Sequence, residues 1–198
     1  MKGTRNVVLI GIAALLVIFL AWGCNGCNSI RTADQDVKKK WSNVETNYQR
    51  RTDLYSSVVK TVEASANFEK STLREVVEAR AKATSVTVDI DDPKTLEAFQ
   101  NAQNGLQSSF GRLIASFEAY PDLKTTQAFQ GFQAQIEGTE NRINVARQDY
   151  NAAVEGYNLK IVRWPNSMLA SMIGAKEKAY YKADAGSEKN PDIQFNIK

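Results

Sequence analysis

The residue types that most often run chemistry at neutral pH are scarce in this chain. It holds no histidine and two cysteines among 198 residues, which removes the commonest general acid/base and the commonest transition-metal ligand together. Cys24 and Cys27 form a C-N-G-C pair with the spacing of a redox dithiol or half a metal site. A thioredoxin-like pair needs a βαβ surround and zinc needs two further ligands; the chain offers neither. The pair therefore reads as interfacial cysteines, with acylation as the chemistry open to them. Glu137 and Glu140 lie three positions apart on one helical segment, a spacing that makes a solvated or salt-bridged face rather than two carboxylates flanking a scissile bond. No catalytic, metal or cofactor-binding residue is assigned, no cofactor is called for, and the chain reads as a non-enzyme.

Two polar constellations remain. Arg51 falls on an apolar helical stripe, and Glu118, Glu140 and Arg147 sit on helices able to face it. A buried arginine must be paired, so the preferred reading is an ion-pair network that fixes helix register; the competing one is an anion or carboxylate site. The second constellation is Tyr150-Asn151 and Tyr157-Asn158, seven residues apart. By phase the tyrosines point into a bundle, with hydroxyls reaching polar partners at its edge. Asn144, Asn151 and Asn158 form a stripe on the flank that bonds a neighbouring helix or loop, or presents a partner-binding ledge. Stacking on nucleic-acid bases would need those rings outside. The net charge of +3 comes from interspersed signs, so no nucleic-acid partner is expected.

The elements that must position these residues follow from periodicity. Residues 1–27 are membrane-directing: Lys2 and Arg5 precede an uncharged run from Val7 to Trp22. At about 1.5 Å per residue such a run nearly crosses a hydrocarbon core of about 30 Å. A retained single-pass anchor contacting the bilayer through residues 7–24 is preferred. The alternative is lipoprotein processing, with Cys24 as the lipidated N-terminus. The basic start favours an exported bundle, although Arg31 and Lys38 to Lys40 weaken the charge asymmetry.

Beyond Asn28 nearly everything reads as helix. The first helix is expected from Ser29 to Ala83, with Val37, Trp41, Val44, Tyr48, Tyr55, Val58 and Val62 in steps of three and four. The register weakens near Ser65 and Glu69 without Gly or Pro, which predicts a phase shift rather than an end. Ser85 to Asp91 is the one β-branched cluster. Asp92-Pro93 then caps a second helix whose stripe is Leu96, Phe99, Gln103, Leu106, Phe110, Leu113, Phe117 and Tyr120. Pro121 ends it.

A third helix, Thr126 to Trp164, carries Phe129, Phe132, Ile136, Thr139, Ile143, Ala146, Tyr150, Ala153, Tyr157 and Trp164 on its stripe. A short apolar helix covers Ser167 to Ile173. The fold class is all-α: an elongated antiparallel four-helix bundle over 28–174 behind an N-terminal transmembrane helix, followed by a loose polar tail over 175–198. Residues 29–45 are expected to form a stalk whose exposed Ile30, Val37, Trp41 and Val44 mediate self-association.

Several segments carry a resemblance. Trp41 to Leu54 (WSNVETNYQRRTDL), Glu69 to Lys82 with Ala79-Arg80-Ala81, and Leu113 to Lys124 with EAYPDLK are three of them. Glu137 to Asn151 (EGTENRINVARQDYN), the second Tyr-Asn pair and Trp164-Pro165-Asn166-Ser167 complete the set. In this order they make the chain similar to the LemA family of bacterial membrane-anchored helical proteins. Tyr55-Ser56-Ser57 departs from the Pro-Asn usual after the Arg-Arg-x-x-Leu segment. The resemblance implies a four-helix bundle on an N-terminal anchor and supplies no mechanism. The expected function is a non-enzymatic scaffold or adaptor of the cell envelope, with unidentified envelope proteins as partners. The alternative is a ligand- or lipid-binding module built on Arg51, Arg142 or Arg147.

Overall fold

The computed structural model describes residues 2–63, 70–120 and 127–182. Helix α1 spans Lys2–Glu63, α2 Lys70–Ser85, α3 Pro93–Ser116, α4 Gln127–Val162 and α5 Asn166–Met172. A 3-10 turn, Phe117–Ala119, follows α3. Among the described residues there is no strand.

Helix α1 has two halves of opposite character. From Leu9 to Phe19 its large apolar side chains are exposed, and this is a helix long and apolar enough to cross a membrane. From Ile30 onward the same helix turns a continuous stripe inward. Ile30, Val37, Trp41, Val44, Tyr48, Tyr55, Val58 and Val62 are all buried. This corrects the expected stalk: Ile30, Val37, Trp41 and Val44 are covered within the chain by α4, α5 and the C-terminal segment. No unsatisfied apolar stripe is left there to drive self-association.

The first helix does not run on to Ala83. Tyr55, Val59 and Glu63 line one cavity of about 150 Å³ with Val76, Val77 and Arg80. On a straight helix Tyr55 and Arg80 would lie about 37 Å apart. Helices α1 and α2 are therefore separate elements packed side by side, with α2 as the fourth helix of the bundle. The phase shift expected near Ser65 and Glu69 lies outside the described residues.

Below α2 the β-branched cluster has no regular secondary structure over 86–89 and turns at 90–91, with Val86 and Val88 half-buried and Ile90 buried. Asp92 then caps α3, its carboxylate accepting from the Lys94 N–H at 2.9 Å, with Pro93 in the first turn. The predicted α3 stripe is buried from Leu96 to Phe117, with Tyr120 half-buried at its end. Large rings join α3 to α1: Phe99 meets Trp41 and Tyr48 edge to face, and Phe110 stacks on Tyr55 with centroids 3.6 Å apart.

Helix α4 returns antiparallel to α1, as Lys40–Asp149 (2.9 Å) and Lys160 Nζ to the Ser29 carbonyl (3.4 Å) establish. Its core stripe is Ile143, Ala146, Tyr150, Val154, Tyr157 and Ile161. Ala153 is half-buried, and Trp164, expected in the core, is 80% exposed. Helix α4 ends at Val162, so Trp164 sits in the turn before Pro165 and not on the helical stripe.

Helix α5 crosses α1 where Gly26 leaves room for Leu169. Gly174, at φ 69, turns the chain back, and the Ala175 N–H bonds the Ala170 carbonyl at 2.9 Å. Residues 175–182 then run alongside α4, with Lys178 and Tyr181 each 4% exposed. The first part of the expected loose tail is thus packed on the bundle; residues 183–198 lie outside the described residues.

Candidate functional site

The polar residues of the bundle form one spine of three levels. At the upper level Arg51, 1% exposed, projects from α1 between α3 and α4. Its Nη2 donates to Gln103 Oε1 at 2.8 Å and to the Gln103 carbonyl at 3.2 Å, and Nη1 donates to Glu140 Oε1 at 3.4 Å. The guanidinium lies 4.6 Å from the Tyr48 ring centroid and 5.9 Å from that of Tyr55. Tyr55 Oη also donates to Glu140, at 3.3 Å. Burial pushes the Tyr55 hydroxyl well above its ordinary pKa; the Arg51 charge opposes this and Glu140 adds to it. It therefore stays a donor. Glu140 keeps 27% side-chain exposure, so one end of the ion pair remains solvated, which reduces its desolvation cost. Within this level Arg51 Nε is the buried nitrogen without a partner.

One turn below, Arg147 donates through Nε to Tyr48 Oη at 2.9 Å and also through Nη2. The hydroxyls of Tyr48 and Tyr181 are 2.5 Å apart, and the Arg147 guanidinium lies 4.4 Å from the Tyr181 ring centroid. Arg147 thus ties α4 to α1 and to the C-terminal segment instead of facing Arg51.

The lowest level contains the Tyr-Asn pairs. Asn151 binds the backbone of Tyr181 twice, Nδ2 donating to its carbonyl at 2.9 Å and Oδ1 accepting its N–H at 2.8 Å. Asn158 repeats the pattern on Lys178, at 3.0 and 2.9 Å. Tyr150 Oη donates to the Ala179 carbonyl at 2.9 Å. The repeat has a geometric reason. Seven helical residues rise about 10.5 Å, and three extended residues span about 10 Å. A heptad of asparagines on α4 therefore matches every third residue of an extended partner.

Lys178 is the pin at the end of this clamp. Its Nζ lies 2.7 Å from Asp34 Oδ1 and 2.6 Å from Asp91 Oδ1, joining α1, the 86–92 segment and the C-terminal segment. Burial pushes the Lys178 amine down, but hydrogen bonds and charge from Asp34 and Asp91 carry it above its usual value. Burial likewise raises the Asp34 carboxyl, and Lys178 and Lys38 together hold it below its usual value. Beside this cluster lies a cleft of about 600 Å³ that presents both signs of charge, with Arg31, Lys38 and Lys176 facing Asp34, Asp89 and Asp91.

The residues singled out from sequence separate clearly. Arg51 meets Glu140, while Asn151 and Asn158 grip the C-terminal segment. Asn144 is exposed, as is Arg142. The side chain of Glu118 lies outside the described residues. Cys24 is exposed and Cys27 half-buried, both as free thiols. Sequence reasoning missed Gln103 as the arginine's partner, though it is the one polar member of an apolar stripe. It also missed Lys178 and Tyr181, which carry no periodic signal.

The spine is chemically a set of hydrogen bonds and ion pairs between neighbouring elements, and most of it lies within the part of the chain that is similar to known proteins. The LemA family model matches residues 40–195, which includes Arg51, both Tyr-Asn pairs and the segment they clamp. The chain is 26% identical over 200 residues to "Magnetosome protein MamQ 2" of Paramagnetospirillum magneticum, covering 91% of this chain and 74% of that protein. It is 27% identical to "Magnetosome protein MamQ" of Magnetospirillum gryphiswaldense, over 91% and 73%. It is 24% identical to "Protein LemA" of Metamycoplasma hominis, over 79% and 68%. With the family model covering most of its length, the chain belongs to the LemA family.

Proposed function

We propose that this protein is a non-enzymatic scaffold of the bacterial cell envelope, held by a single-pass α1 and acting through the outer helical surfaces of its bundle. The observation that carries the reading is the outer face of α4. Val145 and Leu159, 51% and 40% exposed, lie two heptads apart with exposed Ala152 midway. Val162, 52% exposed, extends the stripe. A heptad-spaced apolar stripe is the pattern that receives a partner helix. The conspicuous polar groups, by contrast, are turned inward and occupied. Lys2 and Arg5 at the start of α1 favour the bundle on the extracytoplasmic side. Lipidation at Cys24 is the alternative form of anchorage.

One observation favours a second reading, a ligand- or lipid-binding module. The mixed-charge cleft between Asp34, Lys38, Asp91 and Lys176 is open, whereas both Arg51 Nη atoms already donate to Gln103 or Glu140 within the bundle. Affinity purification of the full-length protein from detergent-solubilised membranes tests both. The scaffold reading expects envelope proteins to co-purify and to be lost in Val145→Glu/Leu159→Glu. An identical set from the variant, or a small anion or lipid in place of proteins, overturns it.

A further inference from the structure

Helix α5 and the corner leading into it expose apolar side chains at one particular height on α1. Leu169 packs directly on Gly26, where a Cβ would run into its Cδ1, so α5 crosses α1 at that residue. Twenty residues counted from Val7 end at Gly26, and at about 1.5 Å each they span about 30 Å, the thickness of a hydrocarbon core. If α1 is the anchor assigned above, α5 therefore lies at the bilayer surface. While Leu169 and Ala170 face the bundle, Trp164, Met168 and Met172 are 80%, 61% and 82% exposed. Arg163 and Lys176, on either side of them, are exposed as well. Tryptophan beside methionine, flanked by cations, is the composition that settles among lipid headgroups.

We propose that the α4–α5 corner is a second membrane contact, in which Trp164, Met168 and Met172 insert into the interfacial layer of the same leaflet where α1 emerges. The occupant is the bilayer rather than a protein, because α5 meets α1 at Gly26, the height at which the apolar α1 segment ends, and cations flank the exposed apolar residues. The contact would fix the tilt of the bundle on its anchor, so that the outer face of α4 is presented at a set angle to the membrane. The proposal rests on the membrane-anchored reading of α1, and its test keeps the two apart.

The full-length protein is reconstituted into phosphatidylcholine/phosphatidylglycerol vesicles containing lipid brominated near the headgroup end of the acyl chain, and tryptophan quenching is read. The chain has three tryptophans, Trp22, Trp41 and Trp164, and Trp41 is a buried internal reference. Trp22→Phe should retain quenching that disappears in Trp22→Phe/Trp164→Phe. Met168→Asp/Met172→Asp in the Trp22→Phe background should lose it and shift the Trp164 emission to the red. These positions are exposed, and unchanged Trp41 emission verifies the fold. If Trp22 is quenched in the wild type but Trp22→Phe is not, the corner does not touch the bilayer and the proposal falls alone. If neither Trp22 nor Trp164 is quenched, the anchor reading falls with it. Trp164 shielded from aqueous iodide yet unquenched by bromolipid also overturns the proposal, and assigns the patch to a second copy.

Discussion

Asn158 holds the backbone of Lys178 as a partner strand would, donating to its carbonyl at 3.0 Å and accepting its N–H at 2.9 Å. Asn158 and Lys178 are both buried, so either backbone group left alone would lack water as a substitute. Asn158→Ala should destabilise the protein by roughly 1–3 kcal/mol, the cost of stranding buried polar groups. Chemical denaturation measures the loss. Hydrogen exchange should show the Lys178 and Tyr181 amides opening together in the variant, because Asn151 and Asn158 grip one short segment.

Arg51 should be far less replaceable than its family of surface counterparts. Removing it leaves the buried Gln103 side chain without its donor, while Glu140 keeps Tyr55 and solvent, so Arg51→Met should cost about 1–3 kcal/mol. Arg51→Lys keeps the charge but cannot reach Gln103 and Glu140 with one planar fork, and most of the loss should persist. A thermal unfolding series of the two variants provides the check.

The Asp34–Lys178 pair sets the pH limits of one part of stability. Asp34 is depressed in the folded chain, so its contribution is present above the unfolded value of about 3.9 and is lost as pH falls through the lower folded value. Lys178 is raised, so its contribution is complete below the unfolded value of about 10.4 and is lost as pH rises through the higher folded value. Between these limits the pair should be indifferent to pH. Asp34→Asn should flatten the acid limb of a stability–pH curve and leave neutral-to-mildly-alkaline behaviour parallel to the wild type. Asp91 should then become the principal partner of Lys178, so double substitution at Asp34 and Asp91 should cost more than the two single costs added together.

Burial of the supposed stalk gives a prediction about assembly. Ile30 is 1% exposed against the chain's own core, so Ile30→Ala should cost about 2–5 kcal/mol through the cavity it leaves. The oligomeric state in detergent should not change, as read by light scattering. A stalk that self-associates would show the reverse: small loss of fold, large loss of association.

How much of this was legible in the sequence differs by element. The α3 stripe from Leu96 to Phe117 could be read directly, because its three-four alternation is unbroken and Asp92-Pro93 marks its start. Arg51 could be read as paired, since a lone cation on an apolar stripe has few other fates, with Glu118 and Glu140 as the carboxylates able to face it. The division of the expected first helix into α1 and α2 carried no signal, because no Gly or Pro lies between Glu63 and Lys70. Trp164 was misplaced because α4 ends at Val162, two residues before it, whereas the sequence marks a stop only at Pro165. The asparagine stripe announced a partner without naming it, since residues 175–182 have no periodicity and are defined only by the spacing of the groups that hold them.

The central claim is that the conspicuous polar residues hold the fold while the outer face of α4 meets partners. Its most direct test places a photocrosslinking amino acid at Val145, Ala152 and Leu159 of the full-length protein in living cells, with the exposed position Glu45 on α1 as a control. The expected result is a shared set of adducts to other envelope proteins from all three α4 positions and none from position 45. Adducts from position 45 alone, or no protein adduct from any α4 position, would contradict it.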